Sequence, residues 1–88
     1  MAKILVTYEL KAPGRDYQPV HDYLQGFVGW AKPHPAVYLI KTDVSVADIR
    51  DRLKRLVHQD DPVFVVDITS STWATYNLPK TSEWLNSR

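Results

Sequence analysis

The segment Trp30-Ala31-Lys32-Pro33-His34-Pro35 constrains this chain more than any other. Proline carries no amide hydrogen, so a strand holding two of them cannot be paired on both sides. If residues 30–35 form a strand, that strand lies at the edge of a sheet. The rest of the fold has to supply a sheet with such an edge.

Residues 4–10 alternate as a strand does, with Ile4, Val6, Tyr8 and Leu10 on one side and Leu5, Thr7 and Glu9 on the other. Pro13-Gly14 breaks the run. Asp16 then offers its carboxylate to the amide of Gln18 as an N-cap, and Pro19 does no harm in a first turn whose amides have no helical partner. Tyr17, Val20, Leu24 and Phe27 share one helical stripe, which Gly26 and Gly29 bring to an end. After the proline segment, residues 36–42 (AVYLIKT) read as a second strong strand.

Ser45 with Asp48 makes a capping box, and Val44 can staple onto Ile49. The helix that follows turns Val46, Ile49, Leu53, Leu56 and Val57 inward. Arg50, Asp51, Lys54 and Arg55 lie outward, with Asp51 and Arg55 at ion-pair spacing. Asp60-Asp61-Pro62 turns the chain into a last strand over residues 63–68. Trp73 and Tyr76 suggest a short strand within residues 72–76, and Trp84 and Leu85 a helical turn.

The order is βαββαβ. Short connections and right-handed crossovers make this an α+β, ferredoxin-like sandwich, a four-stranded antiparallel sheet with two helices on one face and a short C-terminal strand or helix tail. Strands one and three take the centre, and the proline segment falls on an edge. At 88 residues the chain, residues 1–88, reads as a single domain. With Ile4, Val6, Phe64, Val66 and Ile68 facing the helices, the other face would carry Leu5, Val63 and Val65. An apolar face of that kind needs a cover, either the C-terminal tail or a second copy, and a homodimer is the simpler expectation.

The formal charge of +1 gives no general attraction to a polyanion, so any nucleic-acid contact must come from a local patch. Without cysteine there is no disulfide, thiolate metal site or cysteine nucleophile. The apolar run in MAKILVTYEL is too short for a secretory signal, and nothing approaches the roughly 20 apolar residues of a membrane span, so a cytoplasmic protein with no membrane partner is expected. There is no nucleophile triad or Gly-rich phosphate loop, and no small-molecule cofactor is expected.

Glu9 is the residue with two readings. It can be a solvated carboxylate at a strand end, paired with Arg15. It can also be a metal ligand or general base, because a two-fold axis through the open face would bring two copies together and paired carboxylates suit Mg²⁺. Asp67 is expected on the same face in an ion pair with Lys3. His21, His34 and His58 have no partner at ligand spacing. Arg50, Arg52, Lys54 and Arg55 are interleaved with Asp48 and Asp51, which reads as a solvated helix face. Trp30, Trp73 and Trp84 read as core or interface residues.

Tyr8-Glu9-Leu10 and the following KAPGRDY, together with AVYLIKT, SVADIRDRL and VFVVDI, resemble the small CRISPR-associated adaptation nucleases. These are the Cas-two-like ferredoxin-fold proteins, and the likeness is greatest to their stand-alone branch. The resemblance implies a homodimer. In active members an aspartate at the end of strand one, from both protomers, supports Mg²⁺-dependent phosphodiester cleavage; other members are inactive structural dimers. The position carried over is Glu9, as catalytic residue and metal ligand, with Arg15 the nearest group to steady a phosphate. The chain departs from the family in having glutamate for aspartate, and in keeping only the aromatic of a serine-aromatic pair at Ala36-Val37-Tyr38. Tyr8 points to the helix side by parity and is assigned to packing.

Overall fold

In the computed structural model, which describes residues 1–87, β1 (Ala2–Tyr8) runs through the middle of a four-stranded antiparallel sheet. Its neighbours are β3 (Val37–Thr42) and β4 (Val63–Asp67), and β2 (Gly29–His34) pairs with the far side of β3 to give the order β2-β3-β1-β4. The sheet order and the α+β, ferredoxin-like architecture are those expected from the sequence. Lys32, Pro33 and His34 lie in the edge strand, where the register slips between Ala31 and His34. An edge accommodates that slip because only one side of the strand must pair.

Two helices form where caps and apolar stripes place them. In α1 (Gln18–Gln25) the Asp16 carboxylate accepts the Gln18 amide at 2.9 Å, and Val20 and Leu24 are buried. In α2 (Val46–Leu56) the Ser45 hydroxyl accepts the Asp48 amide at 3.1 Å, while Lys54 and Arg55 complement the carbonyl end of the helix dipole. Ile49 and Leu53 are buried, whereas Val46, expected inside, is exposed at the helix start. The outer ion pair joins Arg50 to its neighbour Asp51 at 2.9 Å and leaves Arg55 out.

The core lies between these helices and one sheet face. Ile4, Val6 and Tyr8 of β1 and Tyr38 and Ile40 of β3 meet Val20, Leu24, Ile49 and Leu53 there. Complete burial of a leucine or isoleucine contributes about 1.5–3 kcal/mol, so this cluster dominates the stability.

The last strand faces the opposite way from the sequence expectation. Val65 stands opposite Val6 and Val63 opposite Tyr8, and directly opposed residues share a face. Val63 and Val65 therefore pack into the core, and Phe64 and Val66 point away from the helices. Residues 63–66 are apolar and suit either face, so strand parity depends on a register that composition does not fix. Asp67, opposite Ile4, is consequently on the helix side by parity. It accepts the amide and hydroxyl of Thr69 and makes no ion pair with Lys3.

The face away from the helices is built in rows. Lys3 and Lys41 form the first; Leu5, Leu39 and Val66 the second; Thr7, Val37 and Phe64 the third. A third helix, α3 (Pro79–Asn86), folds back over the first row. The Lys3 ammonium donates to the Leu85 carbonyl, and the Lys41 ammonium lies 5.0 Å from the Trp84 ring centroid. Leu39 and Leu85 are both buried, apart from the main core cluster. Residues 71–77 lead to this helix as irregular chain rather than the short strand expected, with Tyr76 86% exposed and Asn77 at φ 58°. The tail thus covers one end of the face, and Phe64, 60% exposed, marks the other end as open. Among the described residues no helix is long and apolar enough to cross a membrane.

Candidate functional site

Glu9 follows the last residue of β1, and its amide still donates to the Pro62 carbonyl at 3.2 Å. That bond holds the strand end against the entry to β4 and fixes where the carboxylate leaves the sheet. The side chain is exposed and opens on a shallow groove lined by Thr7, Tyr8, Pro62, Val63 and Phe64. Its nearest cation is Lys11, whose ammonium lies 3.9 Å from the carboxylate. Arg15, expected beside it, is elsewhere.

The loop between β1 and α1 explains why. Ala12 to Arg15 forms a turn with Pro13 second and Gly14 third, closed by the Arg15 amide on the Ala12 carbonyl at 3.3 Å. Gly14 has φ 80°, the left-handed value a type II turn demands at that place, and side chains other than glycine are strained there. The turn directs Arg15 toward α2, where its guanidinium donates to the Val57 carbonyl at 3.2 Å and lies 5.9 Å from the Tyr17 ring centroid. This carbonyl lies at the negative end of the α2 dipole, a favourable place for a cation. Glu9 and Arg15 are thus on one loop but do not touch.

The group that organises this loop is Asp61, which the sequence marks only as a turn residue. Its side chain is buried and accepts the Lys11 amide at 2.8 Å, the Tyr17 hydroxyl at 2.6 Å and the His58 amide at 2.9 Å. Burial pushes the carboxyl up, but the hydrogen bonds from Tyr17, Lys11 and His58 outweigh it and hold Asp61 below the usual carboxylate range. Tyr17 is pushed up by burial and by its bond to Asp61, so it stays a donor. Its oxygen also accepts the Ala12 amide at 3.1 Å. One carboxylate thus pins the loop of residues 11–17 to the turn at residues 58–61. The only sequence signal is an aspartate before a proline, and that marks a turn without naming its partners.

A second polar cluster lies on the helix side. Tyr38, fully buried, receives the Gln25 amide nitrogen at 2.9 Å, and its hydroxyl is 2.9 Å from His21 Nδ1. Tyr8 stacks on Tyr38 at 6.5 Å, and burial, then the neighbouring Tyr38, push its phenol up to about 12. Tyr8 is a packing residue, as its parity indicated. His58 lies beside Asp60 and His34 ends the edge strand, so the structure does not bring the three histidines together.

Among the described residues no three His, Cys, Asp or Glu side chains are placed to hold a metal. One protomer therefore does not by itself fit Mg²⁺ at Glu9. Fold and strand end define an α+β sandwich with a surface carboxylate at the exit of a central strand, beside a half-covered sheet face. No protein-family model matches the chain, and a search of the curated proteins finds no match either.

Proposed function

We propose that the chain acts as a Cas-two-like homodimer, joined through the open end of the sheet face, in which the paired Glu9 strand ends form an endonuclease centre for RNA or DNA. One observation carries this reading: the apolar surface that α3 leaves open is the surface next to Glu9. Phe64 stands opposite Thr7 and lines the groove into which Glu9 opens. A two-fold axis there would bring the two carboxylates together and supply what one protomer lacks as a Mg²⁺ site. Arg15 is the candidate to bind phosphate, because a guanidinium gains more from a charged oxygen than from the Val57 carbonyl it now holds. Residues 71–77, with Trp73 and Tyr76 exposed, are suited to cover the β4 edge of the partner. The setting proposed is the cytoplasm.

The test is the purified protein with labelled RNA, single-stranded DNA and duplex, in Mg²⁺ or Mn²⁺ and in EDTA, beside Glu9→Gln. Cleavage should require metal and vanish in the variant, which keeps its fold. Absent cleavage, or undiminished cleavage by Glu9→Gln, overturns the catalytic part. A second reading, a non-catalytic dimeric module binding a protein or nucleic-acid partner, is favoured by Lys11 beside Glu9 and by the lack of further ligands among the described residues. It expects a stable dimer that cuts nothing.

A further inference from the structure

We infer that the cleft between α2 and the outer edge of β4 binds the phosphodiester backbone of a single-stranded nucleic acid. The inference rests on the nucleic-acid part of the reading above but not on cleavage. Arg50 and Lys54, four residues apart, share one stripe of α2, and both line the cleft together with His58, which lies just past the end of the helix. Its floor is apolar, from Val57 and Val63. Arg15 lies beside the cleft, its guanidinium bonded to the carbonyl of Val57, a lining residue. Val63 also lines the Glu9 groove, which makes cleft and groove neighbours.

The carboxylates nearby offset this wall only in part. Asp61 is the one carboxylate lining the cleft, and it meets two lining cations, Arg50 and Lys54. Asp51 holds Arg50 in a pair that is more than half exposed on both sides, an arrangement worth little and easily exchanged for a phosphate. Asp60 lies 3.9 Å from His58, also on the exposed side. Lys54 has no carboxylate partner among the described residues. Arg50 and Lys54 are separated by about 6 Å along the helix, four residues at the α-helical rise, on the scale of successive units of an extended strand. The volume of about 360 Å³ is at the low end for ligand sites, enough for a sugar-phosphate unit and not for a duplex.

This is how a chain of formal charge +1 acquires a local attraction for a polyanion. Arg52 and Arg55 do not share it. Arg52 lies over the Tyr23 ring at 5.8 Å, and Arg55 is exposed outside the cleft.

The experiment is fluorescence anisotropy of labelled single-stranded RNA, single-stranded DNA and duplex in EDTA, where no metal-dependent cutting occurs, at several salt concentrations. Lys54→Ala and Arg50→Ala should each weaken single-strand binding several-fold and reduce the salt slope by roughly 0.7 for each phosphate no longer neutralised. Arg55→Ala, with the same change of charge on the same helix, should leave both unchanged. Equal weakening by Arg55→Ala, no effect of Lys54→Ala and Arg50→Ala, preference for duplex, or no saturable binding would overturn the inference. Binding that behaves as expected without any cleavage in Mg²⁺ removes the catalytic reading and leaves this one standing.

Discussion

The Tyr17 hydroxyl donates to the Asp61 carboxylate at 2.6 Å, across 44 positions of sequence. That bond joins the start of α1 to the entry of β4, and two amides complete the set around the same carboxylate. A neutral amide offers one acceptor oxygen in place of two.

Asp61→Asn should therefore lower Tm by several degrees at neutral pH. The pH dependence follows from the lowered carboxyl. A group whose folded pKa is depressed contributes stability that is complete above its unfolded value, about 3.9, and that disappears as pH falls through the folded one. The acid limb of a Tm-against-pH curve should accordingly be shallower in Asp61→Asn, while Asp67, lowered by its Thr69 bonds, persists in both proteins. Identical acid limbs would show that the carboxylate charge is immaterial.

Tyr8 gives a test at the alkaline end. Its phenol is pushed up to about 12, so the stability it contributes is intact below the ordinary value of 10.0 and is lost as pH rises through the folded value. In a spectrophotometric titration of the folded protein, Tyr8→Phe should delete a late-ionising phase. If the late phase survives intact, Tyr8 is not its source.

The parity of β4 separates two neighbouring substitutions. Val65→Lys would put an ammonium among the core residues, at a cost of several kcal/mol, and should unfold or aggregate the chain. Phe64→Lys acts on the open face and should leave the circular dichroism spectrum unchanged while light scattering falls from dimer to monomer mass. A native chain that is already monomeric at micromolar concentration would end the dimer proposal.

Truncation after Ser70 removes α3 and with it the cover over Leu39. Urea unfolding should shift to lower midpoint, because buried leucine surface becomes wet. The shortened chain should also dimerise more weakly if residues 71–77 reach the partner. A midpoint equal to that of the full chain would mean that the helix is not docked in solution.

A conventional core truncation sets the scale for these effects. Leu53→Ala, at a site with 1% exposure, should cost about 2–5 kcal/mol by denaturant titration. A loss below about 1 kcal/mol would contradict the packing described around α2.

The sheet order and both helix caps were legible because each rests on local chemistry. Pro33 forces an edge, with Pro35 in the turn just after the strand; Asp16 and Ser45 accept nearby amides, and the stripe of Val20 and Leu24 repeats at helical spacing. The parity of β4 was not legible. Val63, Phe64, Val65 and Val66 are all apolar, and a one-residue difference in register exchanges the faces. Glu9 was found at the strand end, as expected, but its neighbour could not be. Arg15 is turned away by the Gly14 turn and the Val57 carbonyl, which lies far off in sequence. The Asp61 hub was missed for the same reason, since two of its three donors come from residues 11 and 17, far off in sequence.

β1 precedes both of its partners in the sequence and ends between them. Its partners are residues 37–42 and 63–67, so neither hairpin-like closure nor any local turn can dock it early. The α1–β2–β3 segment must assemble, and then α2 must bring β4 back, before both sides of β1 are satisfied. Fold assembly is accordingly governed by long-range closure, which slows the search and leaves Ile4 and Val6 unprotected until residues 63–67 have docked.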